Sequence, residues 1–300
     1  MSLSISEAAA ILRAGDLVAF PTETVYGLGA NALDPAAVEK IYKLKGRPAT
    51  SPLIVHVASA EMARGISAEW PTLADELARR WWPGPLTLVL PKKASIPDVV
   101  TAGLPTVGVR VPNHPVALAL IEAAGVPIAA PSANRFTGVS PTASAHVRQE
   151  FPDLPVLEGG PSQVGIESTV VAIEHGKLKL LRPGMVSLGD LEQAAAEAGA
   201  AHPAPGMHPR HYSPRTPLLL LNGSSTLPNG PGAYLWRERF RPASREIQMP
   251  GDPAGYAARL YAVLHELDTG AWPWIAVELP PDQPEWAAIR DRLQRAAGGR

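Results

Sequence analysis

The sequence predicts an α/β protein built from two domains. Short apolar runs such as Leu17–Phe20, Leu53–Val57 and Leu86–Leu90 alternate with segments whose apolar residues recur at helical spacing. This alternation is typical of sheets that are covered by helices. The same pattern starts again after a proline-rich stretch, and 300 residues exceed what most single cores need.

The first helix after Leu17–Phe20 has clear start and stop signals. Asp34 is a typical N-cap residue, Pro35 suits the first helical turn, and Gly46 suits the conformation that ends a helix. Further helices are predicted over Leu73–Trp82, 115–124 and 188–197. Further strands are predicted at Val107–Val111, Ile128–Ala130, Pro155–Leu157, Thr169–Glu174 and Lys179–Leu181.

A change of composition separates the two predicted domains. Residues 201–217 hold five prolines and no apolar period, as expected of a semi-rigid linker or a pinned loop. We therefore divide the chain into residues 1–197, a linker over 198–217 and a small α/β domain over 218–300. In the last part we predict strands at Leu218–Leu221, Ala233–Trp236 and Trp274–Leu279, with helices after Asp252 and before Gly298.

Composition excludes several classes of function. The chain has no cysteine, which excludes disulfides, thiolate metal sites and a cysteine nucleophile. The formal net charge of −1 provides no general attraction to nucleic acid, although eleven arginines over residues 198–300 leave a weak RNA-facing surface open. No signal peptide or membrane span is evident, so we expect a soluble, cytoplasmic protein.

Polar residues follow the predicted strands and helix ends in the first domain. Lys45 and Arg47 flank a helix end, where they could bind a polyanion or simply be solvated. Ser132 and Asn134 follow a strand, and they could be ligand donors or could close a turn. Arg110 alternates with valines and suits a carboxylate, although an exposed strand arginine is equally ordinary. His56 ends a strand, where a structural role is common.

Eight short motifs, taken in order, resemble the L-threonylcarbamoyladenylate synthases of the YrdC-like family. They are PTETVYGLG, Lys45-x-Arg47, PLIVH, GVRVP, PSAN, SPT, GIESTV and LRPG. The linker sequence and the following domain resemble the longer, two-domain branch of that family. The resemblance implies a YrdC-like twisted mixed sheet with a large concave cavity, followed by a small Rossmann-like C-terminal domain.

The resemblance also implies a nucleotidyltransferase reaction. L-threonine, bicarbonate and ATP would give threonylcarbamoyl-AMP and pyrophosphate, with Mg²⁺ held by the ATP phosphates and by no protein side chain. A downstream tRNA threonylcarbamoyl-transferase complex would then use the product to modify the adenosine beside the anticodon. A weak direct contact with tRNA stays open, and we expect no membrane partner.

The family's functional residues can be placed on this sequence. The catalytic cluster would be Lys45, Arg47, Ser132 and Asn134. The ATP end would be formed by Arg47, Ser51, Thr106, Ser132, Ser140, Arg182 and Tyr212. The threonine end would be formed by Thr24, His56, Arg110, Ala130 and Ser168.

Two departures from the family pattern affect these expectations. Ser51 replaces the usual Asn, which shortens the reach of any contact with the nucleotide. The linker has His208, Pro209 and Arg210 where the family tends to have Lys, Tyr and Lys, but Tyr212 is retained. We expect the linker to lie over the cavity and to exclude water from the adenylate, with Tyr212 covering the nucleotide.

Two other functions fit parts of the sequence. A non-catalytic RNA-binding or ribosome-associated module could use a cationic concavity, but the first domain is net acidic and has no aromatic-plus-basic stacking motif. Carbamoyl transfer, as in hydrogenase-maturation relatives, is disfavoured because their zinc-finger and acylphosphatase-like regions have no counterpart in this sequence.

Overall fold

The computed structural model describes residues 3–174, 177–187, 189–192, 212–223 and 225–298. In these residues an eight-stranded mixed sheet is followed by a four-stranded parallel sheet. Helices cover both sheets, so the predicted α/β class is confirmed. None of the helices in the described ranges is long and apolar enough to cross a membrane.

The first sheet carries the candidate site. Its strands lie in the order β1-β2-β6-β3-β5-β4-β7-β8. The pairs β3–β5 and β4–β7 are parallel, and the other neighbouring pairs are antiparallel. The strands are β1 Val18–Phe20, β2 Gly27–Asn31, β3 Ile54–His56, β4 Leu86–Pro91, β5 Thr106–Arg110, β6 Ile128–Ala129, β7 Thr169–Glu174 and β8 Lys177–Arg182.

Seven helices that lie wholly within the described ranges accompany this sheet. They are α1 Ile5–Arg13, α2 Pro35–Lys45, α3 Ala60–Ile66, α4 Thr72–Trp81, α5 Asp98–Thr101, α6 Pro115–Ala124 and α7 Ser144–Glu150. Helix α2 begins and ends as the sequence predicts. The Asp34 carboxylate accepts hydrogen bonds from the N–H groups of Ala36 and Ala37, and Gly46 ends the helix with a φ of 64°.

The second sheet has the order β11-β10-β12-β9, with β9 Leu218–Leu221, β10 Ala233–Trp236, β11 Arg245–Gln248 and β12 Ile275–Glu278. Helices α8 Pro253–Thr269 and α9 Ala287–Ala297 pack on it, and a 3₁₀ turn over Pro284–Trp286 precedes α9. One apolar cluster joins this domain to the first, because Val25, Val139 and Ile166 belong to the same buried group as Tyr261 and Leu264. The two domains therefore share a packed interface.

Two strands escape prediction for identifiable reasons. Strand β2 contains Gly27 and Gly29, which weaken any β-strand signal; a Cβ on Gly29 would lie 2.9 Å from both the Phe20 ring and Ile128. Strand β11 is a mostly exposed edge strand with little apolar pattern. In contrast, the strand predicted at Pro155–Leu157 contributes a single bridge, between Ala19 and Val156.

The helix predicted over 188–197 and the linker predicted over 198–217 are only partly visible. Residues 189–192 are helical, while residues 188 and 193–211 lie outside the described residues. The prediction that the linker lies over the cavity can therefore be compared with the structure only at Tyr212 and the five residues after it.

Candidate active site

A cavity of about 260 Å³ lies where β3, β5 and β6 meet the loop before β2. It collects side chains that are far apart in the sequence. Ten of the residues that the sequence identifies line it: Thr24, Arg47, Ser51, His56, Arg110, Ala130, Ser132, Ser168, Arg182 and Tyr212. Because strand ends and loop ends meet here, the cavity has the position expected of a ligand site in an α/β sheet.

Arg110 is at the centre of the predicted threonine end. It ends β5, is only 3% exposed, and donates hydrogen bonds to the Thr24 hydroxyl (2.9 Å) and the Gly84 carbonyl (3.1 Å). Its guanidinium also lies 2.7 Å from the buried carboxylate of Glu23, although the approach is not aligned as a hydrogen bond. Sequence reasoning missed Glu23, which directly precedes Thr24 in the PTET motif.

His56 is held as a neutral ring beside Arg110. Burial, reinforced by the charge of Arg110, lowers the pKa of His56 to about 3. Its Nδ1 atom has no hydrogen-bond partner in the part of the chain that the structure describes. A buried polar atom of this kind is costly unless a ligand satisfies it, so His56 is suited to bind a polar group in the cavity.

Arg47 and Arg182 bring positive charge to the predicted nucleotide end. Arg47 donates to the carbonyls of Ser51 (3.3 Å) and Pro52 (3.0 Å), and its guanidinium lies 5.8 Å from the centre of the Phe136 ring. Arg182 donates to the Ser168 carbonyl through two nitrogens, at 3.1 and 2.9 Å. Both guanidiniums are therefore fixed in orientation before any ligand binds.

Tyr212 closes the same end of the cavity. It is buried, adopts a φ of 63°, and its ring lies 5.9 Å from that of Tyr261 in a stacked arrangement. The guanidinium of Arg292 lies over the Tyr212 ring at 5.1 Å. These contacts fix the Tyr212 ring against the C-terminal domain.

Four predicted site residues lie outside the cavity lining: Lys45, Thr106, Ser140 and Asn134. Lys45 is buried, and its ammonium donates to the carbonyls of Ser132 (2.6 Å) and Asn134. Burial and the nearby charge of Arg47 hold the pKa of Lys45 well below its usual value. In this structure Lys45 therefore fixes the loop that carries Ser132.

The other three have different surroundings. The Asn134 amide donates to the carbonyls of Arg135 and Gly138, both at 2.8 Å, which closes the turn around it. Thr106 is half-buried at the start of β5 and does not line the cavity. The Ser140 hydroxyl is buried and donates to Glu167 at 2.5 Å.

Glu167 is a second carboxylate that sequence reasoning did not select, although it lies inside the GIESTV motif. It lines the cavity and accepts hydrogen bonds from Ser140, from Arg292 at 2.8 Å and from the Tyr261 hydroxyl at 3.1 Å. Burial alone would raise its pKa, but Arg292, Arg182 and these hydrogen bonds lower the pKa of Glu167 to about 2. It is therefore a permanent anion at neutral pH.

The fold and this cavity define a two-domain α/β protein with a cationic ligand site. A family model described as "Telomere recombination", that of the Sua5, YciO and YrdC proteins, matches residues 10–184. A second model, described as "Threonylcarbamoyl-AMP synthase, C-terminal domain", matches residues 181–298. Together the two models account for both sheets.

Curated relatives and a solved structure agree with these models. The threonylcarbamoyl-AMP synthase of Bacillus subtilis is 40% identical over 338 aligned positions, covering 99% of this chain and 93% of the relative. That of Pyrococcus abyssi is 48% identical over 229, covering 72% of this chain and 67% of the relative. The crystal structure of P. abyssi Sua5 complexed with L-threonine superposes with a TM-score of 0.88 at 38% identity, covering 98% of this chain and 94% of that one.

The chain belongs to the threonylcarbamoyl-AMP synthase family. The resemblance drawn from the eight motifs is therefore confirmed, and so is the α/β architecture with its C-terminal domain. The protein is a nucleotidyltransferase-type enzyme rather than a non-catalytic RNA-binding module.

Proposed function

We propose that the protein makes threonylcarbamoyl-AMP from L-threonine, bicarbonate and ATP, with release of pyrophosphate. One observation carries the proposal: a single cavity has two kinds of lining. Neutral hydrogen-bonding groups and Arg110 suit the hydroxyl and carboxylate of a hydroxy amino acid, and the guanidiniums of Arg47 and Arg182 suit a triphosphate. A solved relative with L-threonine bound has the same fold, which supports the assignment of substrate.

In the proposed reaction the threonine amine first takes up CO₂ from bicarbonate to become a carbamate. A carbamate oxygen then attacks the α-phosphorus of ATP; the new O–P bond forms as the bond to the pyrophosphate oxygen breaks. The carbamate is already an anionic nucleophile, so no general base is needed at this step. Arg47 and Arg182 stabilise the negative charge that develops on the phosphates, and the fixed geometry aligns the two reactants.

Binding of threonine is the task of the residues around Arg110. Two of its N–H groups donate to Thr24 and Gly84, and one terminal nitrogen faces Glu23 at 2.7 Å. The guanidinium has five N–H groups, so donors remain for the amino-acid carboxylate. Neutral His56 can exchange a hydrogen bond with the substrate through Nδ1. This division into two ends keeps the assignment made from the sequence.

Mg²⁺ would enter with ATP and screen the charge on its phosphates. The only carboxylate in the described cavity lining is Glu167, which is already bonded to Ser140, Tyr261 and Arg292. No group of three or more His, Asp or Glu residues in the described ranges is placed to hold a metal ion. The phosphates, rather than protein side chains, would thus supply the ligands.

The product is an activated acyl-phosphate that must be passed on before water destroys it. We propose that a tRNA threonylcarbamoyl-transferase complex consumes it in the cytoplasm, to modify the adenosine next to the anticodon. The names of the relatives support this place in tRNA processing.

An assay of pyrophosphate release tests the proposed reaction. With the purified full-length protein, ATP and Mg²⁺, we expect release only when both threonine and bicarbonate are present. Serine, which lacks the methyl group, should support slower release. Alanine should support none, because it lacks the hydroxyl and would leave the polar groups of the site without a partner. Release that is independent of threonine would contradict the proposal.

A further inference from the structure

The C-terminal domain contributes a cation to the cavity. Arg295 lies in the last turn of α9 and lines the cavity together with Arg47, Arg182 and Tyr212. Its side chain is 19% exposed, and Asp291, one turn earlier, binds its Nε at 2.9 Å. None of the motifs that point to the first domain includes this residue.

Helix α9 is fixed against the first domain at the position that places Arg295 in the cavity. The fully buried side chain of Arg292 donates to Glu167 at 2.8 Å and to the Pro183 carbonyl at 3.0 Å. Ser213 also donates to the Ala296 carbonyl at 3.1 Å. Contacts from three separate segments therefore hold the end of α9 in place.

In the described lining of this end of the cavity, three guanidiniums outnumber the single carboxylate, that of Glu167. Arg47, Arg182 and Arg295 come from three different parts of the fold and face one space. Glu167 is bonded to Arg292, and Asp291 is shared by Arg292 and Arg295. Three guanidiniums around one cavity suit an anion with several charges, of which a nucleoside triphosphate is the relevant chemical class.

We propose that Arg295 of the C-terminal domain contacts the bound nucleoside triphosphate, so that the nucleotide site is completed only when α9 is docked. Arg292 is a positioning residue: through Glu167 it sets where Arg295 lies and does not itself touch the nucleotide. The proposal rests on the proposed function, because it takes the ligand to be ATP. It assigns the C-terminal domain a direct part in substrate binding.

Calorimetric titration of the full-length protein with a non-hydrolysable ATP analogue and with L-threonine tests this proposal. Arg295→Ala should weaken analogue binding about tenfold or more, the size of a lost charge-assisted hydrogen bond, while threonine binding stays unchanged. Arg295→Lys should recover part of the loss. Arg290→Ala is the matched control, because Arg290 lies on the same helix, bonds to Pro280 and is absent from the cavity lining.

The outcomes separate the possible failures. The proposal would be overturned if Arg295→Ala bound the analogue as tightly as the wild type does. It would also be overturned if the variant lost threonine binding and analogue binding to the same extent. A wild-type protein that binds no analogue would instead overturn the proposed function.

The positioning role of Arg292 has its own readout. In the double variant Glu167→Gln/Arg292→Leu both members of the buried ion pair lose their charge, which avoids an unpaired buried charge. Because Glu167 itself lines the cavity, the comparison is with Glu167→Gln alone. Relative to that variant we expect the KM for ATP to rise several-fold, about as much as in Arg295→Ala, with the KM for threonine unchanged. A KM for ATP in the double variant equal to that of Glu167→Gln would remove Arg292 from the proposal.

Discussion

Single residues in this site act mainly by holding charge in a fixed direction. Arg47, Arg110 and Arg182 each donate to a protein carbonyl or hydroxyl, so their orientation is set before substrate binds. Donors that are already oriented cost little reorganisation when charge develops in the transition state. Positioning can thus supply much of the rate enhancement.

Arg47→Ala should weaken ATP binding and lower turnover together. The guanidinium that it removes would contact the phosphates of bound ATP and also stabilise the charge on the departing pyrophosphate. We expect kcat/KM for ATP to fall about a hundredfold, the usual cost of one such donor. Arg47→Lys should recover only part, since lysine cannot reproduce the contacts with Ser51 and Pro52. Steady-state kinetics at varied ATP would show this; a change confined to the KM for threonine would contradict it.

Arg110→Ala should raise the KM for threonine more than the KM for ATP. It also leaves the buried carboxylate of Glu23 without its partner, which costs about 3–5 kcal/mol of stability. The variant Glu23→Gln/Arg110→Ala separates these effects. It should recover stability in a denaturant titration but not threonine affinity. If ATP affinity fell instead, the two ends of the cavity would have been assigned in reverse.

The sequence identifies ten residues that the structure gathers in one cavity. Positions at strand and helix ends point to five of them, and the family resemblance alone points to the other five, which are Ser51, Ala130, Ser168, Arg182 and Tyr212. The sequence does not identify Glu23, Glu167 or Arg295. Glu23 is buried against Arg110, which lies 87 positions away in the sequence. Glu167 is buried against Arg292, which lies 125 positions away. Pairing over such separations leaves no local pattern, so only the fold reveals it.

At the scale of whole elements, the site depends on segments whose sequence signal is weak. Strand β2 places the loop from Thr22 to Tyr26 beside β6, yet its two glycines conceal it as a strand. Helix α2, with a strong N-cap and a glycine stop, is predicted correctly, and the loop that follows it carries Arg47. Local signals therefore define helices here better than short, glycine-containing strands.

Tyr212 is the described residue through which the linker segment meets the cavity. Tyr212→Ala should release or hydrolyse the intermediate faster, because the ring that lies against Tyr261 and Arg292 is gone. Tyr212→Phe keeps the ring and serves as the control. Single-turnover measurement of intermediate retained on the enzyme would show the effect. Unchanged turnover and retention in Tyr212→Ala would refute a covering role for this residue.

For the whole molecule, we expect the interface between the domains to lose stability in acid. The rings of His146 and His265 stack 4.1 Å apart across it, and His265 contacts the Ser140 carbonyl at 3.1 Å. Burial, and the neighbouring ring, lower the pKa of His146 to about 4; burial also lowers that of His265, although Asp268 opposes this. Both rings are therefore neutral in the folded protein at pH 7.

The sign of the pH effect follows from linkage. An unfolded histidine titrates near pH 6.5, so below that pH the unfolded state binds more protons than the folded state, and stability falls as pH decreases towards about 4. His146 alone should contribute about 1 kcal/mol of loss between pH 7.5 and 5, because solvent screens part of the effect at its half-buried ring. In His146→Gln, the difference in unfolding free energy between these two pH values should shrink accordingly. Urea titrations that show the same difference in both proteins would contradict this prediction.

The shared interface and the single cavity lead to one direct structural measurement. In a crystal structure of the protein with L-threonine and a non-hydrolysable ATP analogue, we expect threonine beside Thr24, His56 and Arg110. The analogue should lie between Arg47, Arg182 and Tyr212, with its α-phosphate facing the threonine amine. A nucleotide bound elsewhere, or phosphates remote from all the cavity guanidiniums, would contradict the central claim that one cavity brings the two substrates together.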